Sequence, residues 1–410
     1  MTFYQYQGFC LCPLGGTLPP EALAVDAPFS PLVFLRQQEA KNHRGIFAVH
    51  SLAELEETET AALLQSVASQ EQTALEQLVE EHGASVLNTA FAHAFACLQT
   101  FCAAKKKALR VHLVGLGDVG GTALMGLTLL GKEIAQIGIY DPNEAQVQRY
   151  LLEMNQILPE QDGETRPVVQ AVTLENLFAC DCLLFTASLG VPPVGSRVAD
   201  VRMAQYERNR KMLAEYAKMA RKQNFFGLFC QISDPVDLLA REVFLASNRD
   251  ESGRFDAAGL LPEQVIGFGL GVMAARAAFC AKQAGVEFSN GRVFGPHGQG
   301  LIVANDPDAH YDEAVSQMLT EQTATANLQV RALGFKPYLA PGLSSAAISV
   351  LRALRGQWFY GTAPIGGAYF GCELRLTRKG MELHRQALAP QLLHRLEQAR
   401  RRLREQSHEG

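Results

Sequence analysis

No run of apolar residues in this 410-residue chain approaches the length of about 20 needed to cross a bilayer. The opening MTFYQYQGFCLCPLGG also lacks the basic start and apolar core of a secretion leader, so a cytoplasmic location is expected. Neither sign of charge dominates. Lys and Arg number 37 against 42 Asp and Glu, a net charge of -5, which gives no general attraction to nucleic acid or an anionic membrane, and neither is expected as a partner. The basic run Arg400-Arg401-Arg402-Leu403-Arg404 is read as a solvated helix face. Cys-x-x-Cys spacing is missing too: Cys10 and Cys12, and Cys180 and Cys182, are close pairs of another spacing. Nine cysteines in a chain of this kind point to reduced thiols, with no disulfide framework and no metal site. What is present, 48% hydrophobic and 19% charged residues, is enough to bury a large core in two or three folded units.

Three parts follow along the chain, with no internal repeat or low-complexity segment. Residues 1–107 read as an N-terminal α/β accessory segment, with short strands in PLVFLRQQ and GIFAVH. Ser51-Leu-Ala-Glu54 then has the form of a capping box, and Leu52, Leu55, Leu63, Leu64, Val67, Leu75, Leu78 and Val79 are spaced as one or two amphipathic helices. Lys105-Lys106-Lys107 reads as an exposed junction. Residues 108–245 alternate strand and helix (LRVHLVG, CDCLLFTA and FFGLFCQIS, with MAQYERNRKMLAEYAKMARK between the last two), which predicts a doubly wound parallel sheet of the Rossmann type. Residues 246–410 carry the helical stretch VMAARAAFCAKQAG, antiparallel strands in RVFGPHGQGLIVAN and GGAYFGCELRLTRKG, and a helical tail. In that tail Leu388, Leu392, Leu396, Ala399 and Leu403 form an apolar stripe expected to pack on the same chain.

The chemistry starts at Gly115-Leu-Gly117-Asp118-Val119-Gly120, which follows the apolar strand Val111–Val114 and opens a helix. Glycines there permit a tight turn and the close approach of a pyrophosphate to backbone N–H groups at a helix N-terminus. Asp141 ends the next strand, 24 residues after Gly117, where a carboxylate accepts from the adenine ribose hydroxyls and repels a 2′-phosphate. NAD is therefore the expected cofactor, in preference to NADP.

From Val111 to about Leu383 a series of short motifs continues in one order: Thr186-Ala187-Ser188, QISDPVDLL, VIGFGLGVMAAR, FGPHGQG and GAYFGCELRLTRKGME. In this order they resemble the lactate/malate dehydrogenase family, over about two thirds of the chain, with residues 1–107 outside the resemblance. The likeness implies a mixed α/β C-terminal domain of that family's type, a homodimer or homotetramer, and hydride transfer to or from a small 2-oxo or 2-hydroxy acid. It places Arg276 as the carboxylate-binding arginine and His297 as the proton-transferring acid/base, suited to neutral pH. It puts a second, loop-borne arginine at either Arg197 or Arg202, and it puts Val191 where the substrate side chain is read, which argues against a dicarboxylate. Ser344 falls where the family has a substrate-contacting threonine, and reads equally as a small packing residue.

Two departures sit at the chemistry. Met273, three residues before Arg276, replaces the aspartate that pairs with the histidine, and a thioether cannot stabilise an imidazolium. Asp234 replaces an asparagine near the nicotinamide ribose. It reads either as a substitute partner for His297 or as a counter-charge for an amino or imino group on the substrate. Two readings of other classes stand beside the enzyme: an NAD-binding, non-catalytic regulatory or assembly protein, and a metal-assisted NAD-dependent glycosidase that would need Cys230 and His297 together.

Overall fold

The computed structural model describes residues 1–67, 73–103, 108–159, 166–189 and 201–407, the side chains of 201–204 excepted. Six parallel strands form one sheet, in the order Val265–Gly267, Leu228–Gln231, Cys182–Phe185, Leu109–Val114, Ile134–Tyr140, Val168–Ala171. The order reverses beside Leu109–Val114, the first strand in sequence, so the carboxyl ends of that strand and of Cys182–Phe185 open a crevice of the kind that binds ligands in doubly wound sheets. Both faces are covered, which is why CLLF and LFCQ are buried at every position without alternation.

A second, nine-stranded sheet joins the two ends of the chain. Its order is Phe359–Ile365, Ala368–Thr377, Gly380–Leu383, Ile46–Val49, Ala84–Asn88, Leu32–Arg36, Phe9–Pro13, Phe3–Tyr6, Leu23–Val25. The segments PLVFLRQQ and GIFAVH supply strands here, and the late antiparallel hairpin runs on into them where Met381 pairs with Phe47. One face, with Leu11, Val33, Leu35, Ile46 and Leu87, packs into the core shared with the parallel sheet. The other, with Cys10, Cys12, Leu32, Phe34 and Phe47, is covered by Leu55 and Val79.

These two cores correct the expectation for residues 52–79. Leu55 serves the second core, whereas Leu63 and Leu64 serve the first, so no single amphipathic helix can present them all. Instead Ser51 caps a 3-10 turn at Leu52–Glu56, Thr60 caps another at Ala61–Leu64, and Thr73 caps the one α-helix among the described residues of this stretch, Ala74–His82. Glu54 does not close a capping box: it accepts from the His50 backbone N–H and pairs with Arg385 at 3.3 Å. The tail stripe is buried on the same chain, with Leu392, Leu396, Ala399 and Leu403 in the helix Pro390–Gln406 and Leu388 just before it. Arg400 departs from the solvated reading: it is 5% exposed, held by Glu397 and by the Gly366 carbonyl, while Arg401, Arg402 and Arg404 are exposed. Lys105–Lys107 lie outside the described residues.

The two sheets are bolted together by Glu263, which is fully buried just before the edge strand Val265–Gly267. Its carboxylate accepts from the backbone N–H of Gly45 at 2.9 Å and of Ile46 at 3.0 Å, where a strand of the first 107 residues begins. Burial outweighs those donors and pushes the carboxyl from 4.5 up to about 7. A raised native pKa means the folded state holds this proton more tightly, so the stability it contributes is full below pH 4.5 and is lost as pH rises through 7. The loss is on the order of 3 kcal/mol. Urea unfolding between pH 5 and 7.5 should therefore show the native chain losing stability relative to Glu263→Gln, which is neutral throughout; parallel pH profiles would contradict this assignment.

Candidate functional site

The glycine turn is shaped by three close approaches. Gly115 adopts a left-handed conformation (φ 94°) and presses on Ala187, and its carbonyl accepts from Thr186 Oγ1 at 2.7 Å. A Cβ on Gly120 would stand 1.9 Å from that same carbonyl oxygen, so only glycine fits. Gly117, by contrast, has nothing within 4 Å of where a Cβ would be, and it begins the helix Asp118–Leu130, whose first N–H groups are capped by no side chain. The outcome is an open backbone cradle at a helix N-terminus, with the free N–H groups and partial positive charge that an anion requires. Val119 lines the helix wall, its carbonyl 3.2 Å from a Cβ placed on Gly342. Asp118 is half-exposed and paired with Lys336 at 3.1 Å, so its negative charge beside the cradle is offset. Asp141 is held by the N–H groups of Leu116 and Asn143, both at 2.8 Å, which fixes it at the end of its strand.

Thr186-Ala187-Ser188 leave the strand Cys182–Phe185 beside this turn. Ser233 Oγ donates to the Ala187 carbonyl at 2.6 Å, and the buried Asn209 donates to the Asp234 carbonyl at 2.9 Å and to Ser188 Oγ at 3.3 Å. These bonds draw the SDPVDLL segment against the crevice.

His297 sits in a loop between the paired strands Arg292–Phe294 and Ile302–Ala304, where Gly295, Gly298 and Gly300 all take positive φ. Its backbone N–H donates to Asp237 at 2.8 Å. Its ring rests on Gly269, where an added Cβ would lie 2.4 Å from Nδ1. Gly269 caps the helix Leu270–Ala284, which carries Met273 and Arg276 one turn apart. His297 thus packs at the start of the helix whose middle carries Arg276, 21 residues earlier in sequence. Met273 is buried, and its sulfur accepts a long hydrogen bond from Arg276 Nη1 at 3.7 Å. Burial pulls the Arg276 pKa down, and the fields of Cys280 and Asp234 oppose it.

The Asp234 carboxylate is exposed and makes no hydrogen bond or ion pair among the described residues, so it is not bonded to His297 here; its influence falls on Arg276. Ser344 lies in the π-helical segment Pro341–Ile348, with its carbonyl accepting from Ser349 Oγ. Val191 and Arg197 lie outside the described residues, and Arg202 is in the helix Val201–Lys222 with its side chain undescribed. Cys230 is buried against Cys182, Sγ to Sγ 3.4 Å, and no cluster of metal-binding side chains occurs among the described residues, so nothing supports the glycosidase arrangement.

Two residues of the site escaped sequence reading. Asp237, which holds His297, was inside the quoted SDPVDLL motif, but only its 5% exposure in an apolar helix marks it as a partner. Ser345 accepts from the Val272 N–H and donates to the Gly269 carbonyl, both at 2.9 Å, and so locks the start of the Arg276 helix.

Comparison with known proteins agrees with this architecture. No family model matches the chain. L-lactate dehydrogenase 1 of Bacillus cereus and of Bacillus anthracis is 27% identical over 173 residues, 42% of this chain and 49% of the relative, so the match spans about half the length of those relatives. Solved structures align over 73% of the chain: a minor L-lactate dehydrogenase from Enterococcus mundtii (TM-score 0.59, 18% identity, 98% of that chain), the malate dehydrogenase of Archaeoglobus fulgidus in complex with NADH (0.59, 17%, 99%), and a lactate dehydrogenase from a deep-sea metagenome (0.58, 15%, 98%). The chain has the fold of the lactate and malate dehydrogenases.

The glycine geometry separates folding from ligand approach. Gly117→Ala should melt within about 2 °C of the native chain, since its methyl meets open space. It should lose most of the thermal shift given by NADH. Gly120→Ala should lose stability outright, by more than about 2 kcal/mol, because the turn must move. Equal melting of both variants would show that the cradle is not built as described.

Proposed function

We propose that the protein is an NAD-dependent oxidoreductase acting on a small carboxylate-bearing substrate, a 2-oxo or 2-hydroxy acid or the related imine. The observation that carries this reading is the packing of His297 on Gly269, the cap of the helix that bears Arg276, which supports a proton carrier and a carboxylate fork acting on one substrate. The open cradle at Gly117, with Gly115, Gly120 and Asp141 around it, fits a dinucleotide diphosphate and its ribose. A bound nicotinamide supplies or accepts the hydride. The chain's own side chains do the rest: Arg276 grips the substrate carboxylate and excludes alternative orientations, while His297 gives its proton to the oxygen or nitrogen on the carbon being reduced. In the reverse direction it takes that proton back.

Met273 stands where the family resemblance puts a carboxylate, and loss of such a contact costs about 1 to 3 kcal/mol or roughly 10- to 100-fold in rate. Asp234, an exposed negative charge felt by Arg276, favours a substrate that carries a positive nitrogen as well as a carboxylate. The second reading, an NAD-binding protein without turnover, draws on the same Met273. The exposed side chains Met125, Leu129 and Leu130, with Leu343 seated against Gly126 between them, give the homo-oligomer expected here an apolar face.

NADH oxidation with a panel of 2-oxo acids, with and without ammonium, tests the assignment. Turnover that needs ammonium identifies the imine, and turnover without it identifies the oxo acid. Arg276→Gln should lower kcat/KM by roughly 100-fold, about 3 kcal/mol of charge-assisted binding. NADH binding without turnover of any substrate would favour the non-catalytic reading.

A further inference from the structure

A cavity of about 800 Å³ lies at the edge of the parallel sheet opposite the glycine turn. It is bounded by the starts of the strands at Arg110 and Leu228, by the helix Ala94–Cys102, and by the last strands at Leu376–Arg378. It is open to solvent, and its size is that of clefts which hold small organic ligands. Four aromatic rings stand in its walls: Phe101, Phe178, Phe225 and Phe226 all line it, with Phe178 and Phe225 edge to face at 5.2 Å.

Two guanidinium groups line the same space. Arg110 has no carboxylate within ion-pair distance of its side chain among the described residues. Arg378 is held by a hydrogen bond from Nε to the Cys102 carbonyl at 3.0 Å, and it too has no carboxylate partner among the described residues. The only acidic lining residue among the described residues, Asp181, accepts from the Arg110 backbone N–H at 2.9 Å. Two arginines against one carboxylate leave a net positive charge beside apolar rings, which complements a molecule with an apolar body and an anionic group.

We propose that this cavity binds a small amphipathic anion, its apolar body among the four phenylalanines and its carboxylate, sulfonate or phosphate on Arg110 and Arg378, at a site separate from the dinucleotide cradle. Because the cavity joins the N-terminal helix, the parallel sheet and the last strands, an occupant ties together parts of the chain that the resemblance to dehydrogenases covers and a part that it does not.

The test uses the full chain and 8-anilinonaphthalene-1-sulfonate, whose fluorescence rises on entering an apolar site, with saturating NAD present throughout. One saturable site is expected, weakened about tenfold or more in Arg110→Gln/Arg378→Gln, as loss of charge-assisted contacts requires. Ala179→Trp, which fills the lining from an exposed turn, should abolish the signal with the melting temperature retained. Displacement by indole-3-acetate or by decanoate distinguishes an aromatic from an alkyl occupant. Absence of saturable binding in the presence of NAD, or binding unchanged in the double arginine variant, which folds on exposed positions, overturns the proposal.

Discussion

The carbonyl of Gly115 is the point on which the site depends. It is enclosed between the hydroxyl of Thr186 and the Cα of Gly120, so the turn, the following helix and the next parallel strand can take only one relative position. Everything that gives the cradle its character follows: the helix starts at Gly117 with its N–H groups uncapped, and Asp141 is fastened to Leu116 at its rim. The same helix is approached closely by the π-helical segment, where Gly126 admits Ala347 and Gly342 admits Thr122. Small residues thereby connect the cradle to the half of the chain that carries Ser345, the Arg276 helix and His297.

That connection sets the electrostatics of the site. Arg276 is partly desolvated, which strengthens any carboxylate contact it makes, and its neighbouring charge is the exposed Asp234. His297 is held through its backbone by Asp237 and by contact with Gly269.

The glycine turn, Asp141 and the alternating strands were legible because each is a local constraint, a φ value or a run of buried apolar residues that the sequence states directly. Long-range pairings were not legible. Glu263 meets Gly45 and Ile46 across more than 200 positions, and nothing in the local pattern of either segment marks it. Leu55 and Leu63 share a helical spacing yet belong to opposite faces of one sheet, a fact that exists only once the ends of the chain have joined. Arg400 looked solvated inside a basic run and is buried because Glu397 and the Gly366 carbonyl await it.

The central claim is that the turn after Val114 holds the diphosphate of NAD. Isothermal titration of the folded, full-length protein with NADH tests it most directly. The account predicts saturable heat with one NADH per chain; a folded protein that takes up neither NADH nor NAD would contradict it.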